Sequence, residues 1–310
     1  MSLAVETVGL TKYYKGFPAL DGLDLSVPEG CIYGFLGPNG AGKTTTLKIL
    51  TGMTKPSGGE VRIFGKPVSF GSGKNLAEVG FLPDVPGFYD WMNAHEFLTF
   101  CGELFALETK QLKQRVEELL EMVGLADSGK KKIGGYSRGM KQRLGIAQAL
   151  INMPKIVFLD EPVSALDPAG RKQVMDIIQG LAGKHTVFFS THVLADVERV
   201  CERVVIIHKG KAVKEGRLDE IKAMGETDRI ELVIDEENAE TLAKQFAALE
   251  GVREALADNG RRITLRTDNL ALARAGVIRT AHERNIPLRS LVIPEPTLED
   301  IFLKAVNGNE

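Results

Sequence analysis

The strongest constraint on this chain is the stretch Gly37–Thr45, which reads GPNGAGKTT. It contains G-x-x-x-x-G-K-[ST], with Gly37, Gly42, Lys43 and Thr44 at the fixed positions. Just before it, Cys31–Leu36 (CIYGFL) is a short apolar run that predicts a buried strand, and Thr44–Leu50 is compatible with a helix. Strand, glycine-rich loop and helix form the context in which this pattern cradles phosphate. Glycine lets backbone N–H groups curl around phosphate oxygens, and a side chain at Gly40 or Gly42 is expected to crowd them. The helix start adds free N–H donors and a partial positive charge. The stretch Gly37, Pro38, Asn39, Gly40, Ala41, Gly42, Lys43, Thr44 and Thr45 is therefore expected to bind a nucleoside triphosphate. Lys43 reaches its outer phosphates, and the Thr44 hydroxyl ligates Mg²⁺.

A second constraint lies downstream. Ile156–Leu159 (IVFL) reads as a buried parallel strand and ends in Asp160-Glu161-Pro162. An acidic pair at such a strand end, beside a phosphate loop, suits Asp160 to hold Mg²⁺ and Glu161 to act as general base on water. Thr186–Ser190 (TVFFS) is another buried strand, followed by Thr191-His192. Carboxyl ends of parallel strands are where ligand-contacting groups gather, so His192 is a candidate contact for phosphate or water.

Around these motifs the chain reads as two parts. Leu3–Leu10 and Leu20–Val27 predict strands split by the polar segment Thr11–Pro18, in which Tyr13 or Tyr14 is placed to stack on a base. Strands ahead of the phosphate loop predict an antiparallel layer beside the nucleotide core. Glu60–Phe64 and Ala77–Pro83 predict further strands, Trp91–Leu125 a helical stretch, and Ile133–Arg143 the opening of a helix running to about Ile151. The region of about 86–150 thus reads as a helical insertion. Val204–His208 and Lys211–Lys214 predict a hairpin turning at Lys209-Gly210. The character changes near Gly225, and 225–310 reads as β-α-β-β-α-β plus a tail helix, a small ferredoxin-like α+β domain after a first domain of 1–224. The fold class is α/β: a P-loop NTPase core with an antiparallel β-layer and helical insertion, plus that C-terminal domain.

Bulk properties exclude several classes. A formal net charge of −2 over 310 residues gives no reason to expect nucleic acid as a partner. Three widely spaced cysteines, Cys31, Cys101 and Cys201, make neither a disulfide framework nor a metal cluster. The sequence holds no apolar run near the roughly 20 residues a bilayer span needs, and its N-terminus does not read as a signal peptide.

Taken together, the motifs resemble those of the ATP-binding subunit of an ABC transporter, over about the first 220 residues. Gly37–Thr45 is similar to the Walker A loop and Ile156–Glu161 to the Walker B strand with its glutamate. Tyr14 resembles the adenine-stacking aromatic, Ser164–Asp167 (SALD) the D-loop, and His192 the switch histidine. Tyr136–Met140 (YSRGM) occupies the signature position, with Arg138 and Met140 departing from the family pattern. Asp84 in FLPDVP stands at the Q-loop position, where the family has glutamine.

The resemblance implies a head-to-tail homodimer with two sandwiched ATP molecules, Ser137 and Gly139 contacting the γ-phosphate of the opposite site and Asp167 close by. It implies Asp84 as a further Mg²⁺ or water ligand, and integral membrane permease subunits as partners. The expected location is cytoplasmic, peripheral to the inner face of the cell membrane. Leu291–Leu303 (LVIPEPTLEDIFL) resembles the end of the C-terminal domain in drug, antibiotic and polysaccharide export ATPases, which favours an exporter. An importer subunit or a soluble, non-transport ABC ATPase is the alternative.

Overall fold

The computed structural model describes residues 2–71, 77–223, 227–235, 238–258 and 260–307. The elements, in chain order, begin with β1 (Leu3–Tyr14), β2 (Phe17–Pro28), β3 (Ile32–Leu36), α1 (Lys43–Leu50), β4 (Gly58–Ile63), β5 (Lys66–Pro67) and β6 (Val79–Leu82). The helical region follows as α2 (Ala94–Leu104), α3 (Thr109–Met122) and α4 (Arg138–Leu150). Then come β7 (Ile156–Asp160), α5 (Pro168–Gly180), β8 (Thr186–Thr191), α6 (Leu194–Val200), β9 (Arg203–His208), β10 (Lys211–Arg217) and α7 (Leu218–Ala223). The chain closes with β11 (Arg229–Ile234), α8 (Ala239–Phe246), β12 (Val252–Asp258), β13 (Arg262–Thr267), α9 (Leu270–Glu283), β14 (Leu288–Val292) and α10 (Leu298–Asn307).

Two compact units result, one running to Leu218 and the other Asp219–Lys304. The change of character expected near Gly225 lies outside the described residues.

The first unit holds two sheets. The six-stranded sheet has the order β10-β9-β3-β8-β7-β6, parallel throughout except for the β9–β10 hairpin. Its central strands β3, β7 and β8 are buried at every residue, which is why their sequences are continuous apolar runs rather than alternating ones. Tyr33, Phe35 and Phe158 pack around Phe188 at centroid distances of 5.0–5.5 Å. The four-stranded sheet, β2-β1-β4-β5, is antiparallel and adds Val5, Leu10, Leu23, Leu25 and Val61 to the same core.

Two expectations need correction here. The segment Thr11–Pro18 does not separate the first two strands, because β1 and β2 run on to a tight hairpin at Lys15-Gly16. Both turn residues have positive φ, 48° and 85°, the backbone twist that suits two-residue hairpins. The stretch Trp91–Leu125 is two helices, broken after Leu104 where Ala106 takes a left-handed φ of 54°. A capping box starts α2, with the Asn93 side chain accepting from Glu96 N and the Glu96 carboxylate accepting from Asn93 N.

The second unit has an antiparallel sheet of order β12-β13-β11-β14. Ile230, Leu232, Ile234, Ile263 and Leu265 point to one face, where Leu242 and Phe246 of α8 and Ala273 and Val277 of α9 cover them. This is the β-α-β-β-α-β order predicted from the sequence. The tail helix α10 opens at Thr297, whose N–H and hydroxyl both donate to Asp300 Oδ2, and Arg229 pairs with the same carboxylate at 3.2 Å.

Candidate active site

The phosphate loop lies between β3 and α1, at the carboxyl edge of the parallel sheet. Gly40 and Gly42 have φ of 81° and 108°, values that L-residues rarely adopt. A Cβ on Gly40 would meet nothing within 4 Å, so there glycine is required by conformation alone. A Cβ on Gly42 would stand 2.6 Å from the Ala19 carbonyl oxygen and 2.7 Å from Leu20 Cδ2. At Gly42 a side chain also meets an obstacle in the protein behind the loop. Gly37 is pinned likewise, its Cβ position lying 2.5 Å from the Ile207 carbonyl oxygen.

Lys43 begins α1 and is 6 % exposed. Its ammonium donates to the carbonyls of Gly37 at 2.7 Å and Pro38 at 3.2 Å, folding the side chain back over the loop. It also lies 3.2 Å from Glu161 Oε1. The other oxygen of Glu161 is 2.9 Å from His192 Nδ1. One carboxylate therefore joins the cation of the phosphate loop to the histidine after β8. Glu161 has φ of 47°, an uncommon conformation for a non-glycine residue and one that clusters at functional sites. Its backbone N–H donates to the Ser190 carbonyl at 3.1 Å, which fixes that turn against β8.

Asp160 ends β7 and is 1 % exposed. Burial raises its carboxyl above the ordinary aspartate range, while hydrogen bonds from Ser190 and Thr44 oppose that rise. The Ser190 hydroxyl donates to Asp160 Oδ1 at 2.6 Å. Asp84, exposed after β6, accepts from the Ser164 hydroxyl at 2.6 Å and also raises Asp160 through its charge. Thr44, Asp160 and Asp84 together offer hard oxygen donors, the set that suits a small divalent cation completed by phosphate and water. Among the described residues no group of three or more His, Cys, Asp or Glu side chains could hold a metal ion by itself.

A cavity of about 360 Å³ stands over the loop, lined by Ala19, Asn39, Gly40, Gly42, Lys43, Thr44, Thr45, Asp84 and Glu161. Pro38 and Ala41 shape the loop from behind: Pro38 gives its carbonyl to Lys43, and Ala41 is buried. Tyr14 is not part of the cavity wall. It sits at the end of β1, 45 % exposed, with Lys12 Nζ 4.9 Å from its ring centroid. Ser137, Gly139 and Asp167 line a separate cavity of about 430 Å³, together with Arg138, Met140 and Leu166. Ser137 caps α4 by accepting from Met140 N at 3.2 Å, which leaves its own hydroxyl proton to donate elsewhere. Asp167 caps α5 by accepting from Gly170 N at 3.1 Å, with Pro168 in the first turn. A third and larger groove, about 950 Å³, is lined by Met53, Phe81, Val85, Leu104 and Phe105 among others and also reaches Asp84 and Asp160.

Reading from the sequence missed two groups at this site, Ser190 and the hydroxyl of Ser164. Ser190 carried a signal, near the carboxyl end of a strand parallel to the one ending in Asp160. Ser164 carried none beyond its place in SALD.

Comparison with known proteins decides the family. A profile described as "ABC transporter" matches residues 20–164, and one described as "ATP-binding protein DrrA1-3-like, C-terminal domain" matches residues 216–306. The bacitracin transport ATP-binding protein BcrA of Bacillus licheniformis is 36 % identical over 99 % of this chain and 99 % of its own length. This chain belongs to the family of ABC transporter ATP-binding subunits. The daunorubicin resistance ATP-binding protein DrrA3 of Streptomyces coeruleorubidus is 35 % identical, covering 97 % of this chain and 95 % of that protein. Among solved structures, a dimeric ATP-binding cassette in a post-hydrolysis state with ADP and Pi bound matches with a TM-score of 0.62 and 28 % identity, over 69 % of this chain and 98 % of that one. The ABC cassette is an ATPase fold, and its members bind nucleotide as that relative does. Among the described residues no helix is long and apolar enough to cross a membrane.

Proposed function

We propose that this cassette hydrolyses ATP as the motor subunit of an exporter, working as a homodimer on separate membrane subunits at the inner face of the membrane. The observation that carries the catalytic part is the Glu161 carboxylate at the wall of the phosphate cavity, held between Lys43 and His192. In the proposed reaction a water oxygen attacks the γ-phosphorus, the bond to the β-phosphate oxygen breaks, and Glu161 accepts the proton from water. Lys43 leaves Glu161 for the incoming γ-phosphate, which frees the carboxylate to face water, and His192 holds the other carboxylate oxygen in place. Thr44 and Asp160, with Asp84 near, would hold Mg²⁺, which when bound would neutralise charge on the phosphates.

Dimerisation is supported by the separation of the two cavities. Ser137, Gly139 and Asp167 form their own concave wall rather than the far side of the phosphate loop, so a second copy is needed to bring them to nucleotide. Export is supported by the similarity, over nearly the whole chain, to proteins named for bacitracin transport and daunorubicin resistance, and by the match of the second unit to the DrrA-type domain. The apolar groove between α2 and β6 suits an intracellular segment of a membrane subunit. The test is Mg²⁺-dependent ATP hydrolysis by the unsubstituted chain and by Glu161→Gln. The variant is expected to lose at least about 10²-fold in kcat, the size of a general-base contribution, while ATP converts it to a dimer by light scattering. Full turnover in Glu161→Gln would sink the assigned role. Copurification with a polytopic membrane protein and no substrate-binding protein is the outcome that supports export.

A further inference from the structure

The Asp84–Ser164 contact has no part in the reaction as described, yet it ties three regions of the cassette together. Asp84 lines the phosphate cavity and also the large apolar groove. Its partner Ser164 lies in the short segment Glu161–Asp167, between two residues of left-handed backbone, Glu161 at φ 47° and Ala165 at φ 51°. That segment is held by turn hydrogen bonds from Ser164 N to the Glu161 carbonyl at 3.0 Å and from Leu166 N to the Val163 carbonyl at 3.4 Å, the second at the long limit. At one end the segment carries Glu161. At the other, Ala165, Leu166 and Asp167 form a wall of the cavity shared with Ser137 and Gly139. A hydroxyl donating to a carboxylate at 2.6 Å is in the short, charge-assisted class, stronger than either turn bond.

We propose that Asp84 is a positioning residue: by accepting from Ser164 it fixes the Glu161–Asp167 segment, so that the general base and the wall facing the second copy are set by one side chain. The inference rests on the reading of Glu161 and of the dimer given above. It assigns Asp84 a role as hydrogen-bond acceptor, whereas the family resemblance implies a metal or water ligand. The two roles differ in what asparagine can replace. An amide carbonyl still accepts from Ser164 but has no charge to offer a cation.

The experiment compares Asp84→Ala, Ser164→Ala, their double variant, Asp84→Asn and Ser164→Thr in steady-state ATP hydrolysis. The same substitutions placed in the Glu161→Gln chain are followed for ATP-induced dimerisation. Asp84→Ala and Ser164→Ala are each expected to lower kcat by about tenfold or more, with the KM for ATP within about twofold, as for an interaction that matters in the closed complex rather than in binding. The double variant should be no worse than either single one, because both remove the same contact. Asp84→Asn and Ser164→Thr should recover most of the kcat and of the dimerisation. Additive losses would overturn the inference, as would Asp84→Asn being as impaired as Asp84→Ala, which would make the residue a metal ligand instead. Absence of hydrolysis in the unsubstituted chain would overturn the functional reading, and this inference with it.

Discussion

Asp160 shows how a residue proposed to hold Mg²⁺ works against stability at the scale of a single side chain. It is almost fully buried, and burial lifts its carboxyl above the ordinary range. A folded-state value raised above the unfolded one favours the folded chain at low pH, and that advantage is lost as pH rises through the elevated value. At neutral pH the folded chain therefore carries the cost of a buried charge. Asp160→Asn keeps an acceptor for Ser190 and Thr44 but removes the charge. It should raise the Tm of the nucleotide-free protein by about 2–4 °C at pH 7, with the gain shrinking toward pH 4, while abolishing Mg²⁺-dependent hydrolysis. Melting curves across pH check this, and a lower Tm at pH 7 would refute it. That Lys43 meets Glu161 and Thr44 meets Asp160 was legible in the sequence, because the phosphate-loop and strand-end patterns put those side chains at fixed spacing. Tyr14 was not settled the same way, since an exposed tyrosine at a hairpin end satisfies the same pattern with or without a base beside it.

Among the elements, α4 and β6 meet at backbone distance. A Cβ on Gly80 in β6 would collide with the Ala149 carbonyl, and one on Gly145 of α4 would lie 2.5 Å from Leu82 Cδ1. Gly80→Ala is expected to cost about 1–3 kcal/mol by overpacking, read as a lower Tm, even though alanine normally suits strands better than glycine. An unchanged Tm would mean that the helix can shift away. Element type was legible where the pattern was strong: as unbroken apolar runs in the buried strands β3, β7 and β8, and as helical spacing in α3 with Leu112, Val116, Leu119 and Leu120 on one face. Strand β12 left little signal, because five of its seven residues are exposed and nothing alternates. The ends of β1 and β2 were hidden for a related reason: Lys12 to Phe17 is polar and aromatic, and pairing across the turn rather than burial makes it strand.

For the molecule as a whole, two units with separate cores predict two thermal events. The nucleotide cavity belongs entirely to the first unit, so binding should stabilise that unit alone. In calorimetry of Glu161→Gln, ATP with Mg²⁺ at about 100-fold over Kd adds about 2.7 kcal/mol to the unit that binds, moving one transition upward and leaving the other in place. A single transition moving as one would show that the units unfold cooperatively. The separation at Leu218–Asp219 falls within the short helix α7 rather than in a glycine-rich linker, so the sequence carries no composition signal at that point.

The pairing of Lys43 with Glu161 has one more consequence, for the direction of the cycle. In the proposed reaction a triphosphate entering the loop would take the lysine from a carboxylate already seated there, and the departing phosphate would give that seat back. The glutamate would then act as an internal rival to the γ-phosphate. It would weaken the hold on inorganic phosphate once the bond is cut, and it would leave a diphosphate, which has no group to contest the pair, bound beside a carboxylate turned away from water.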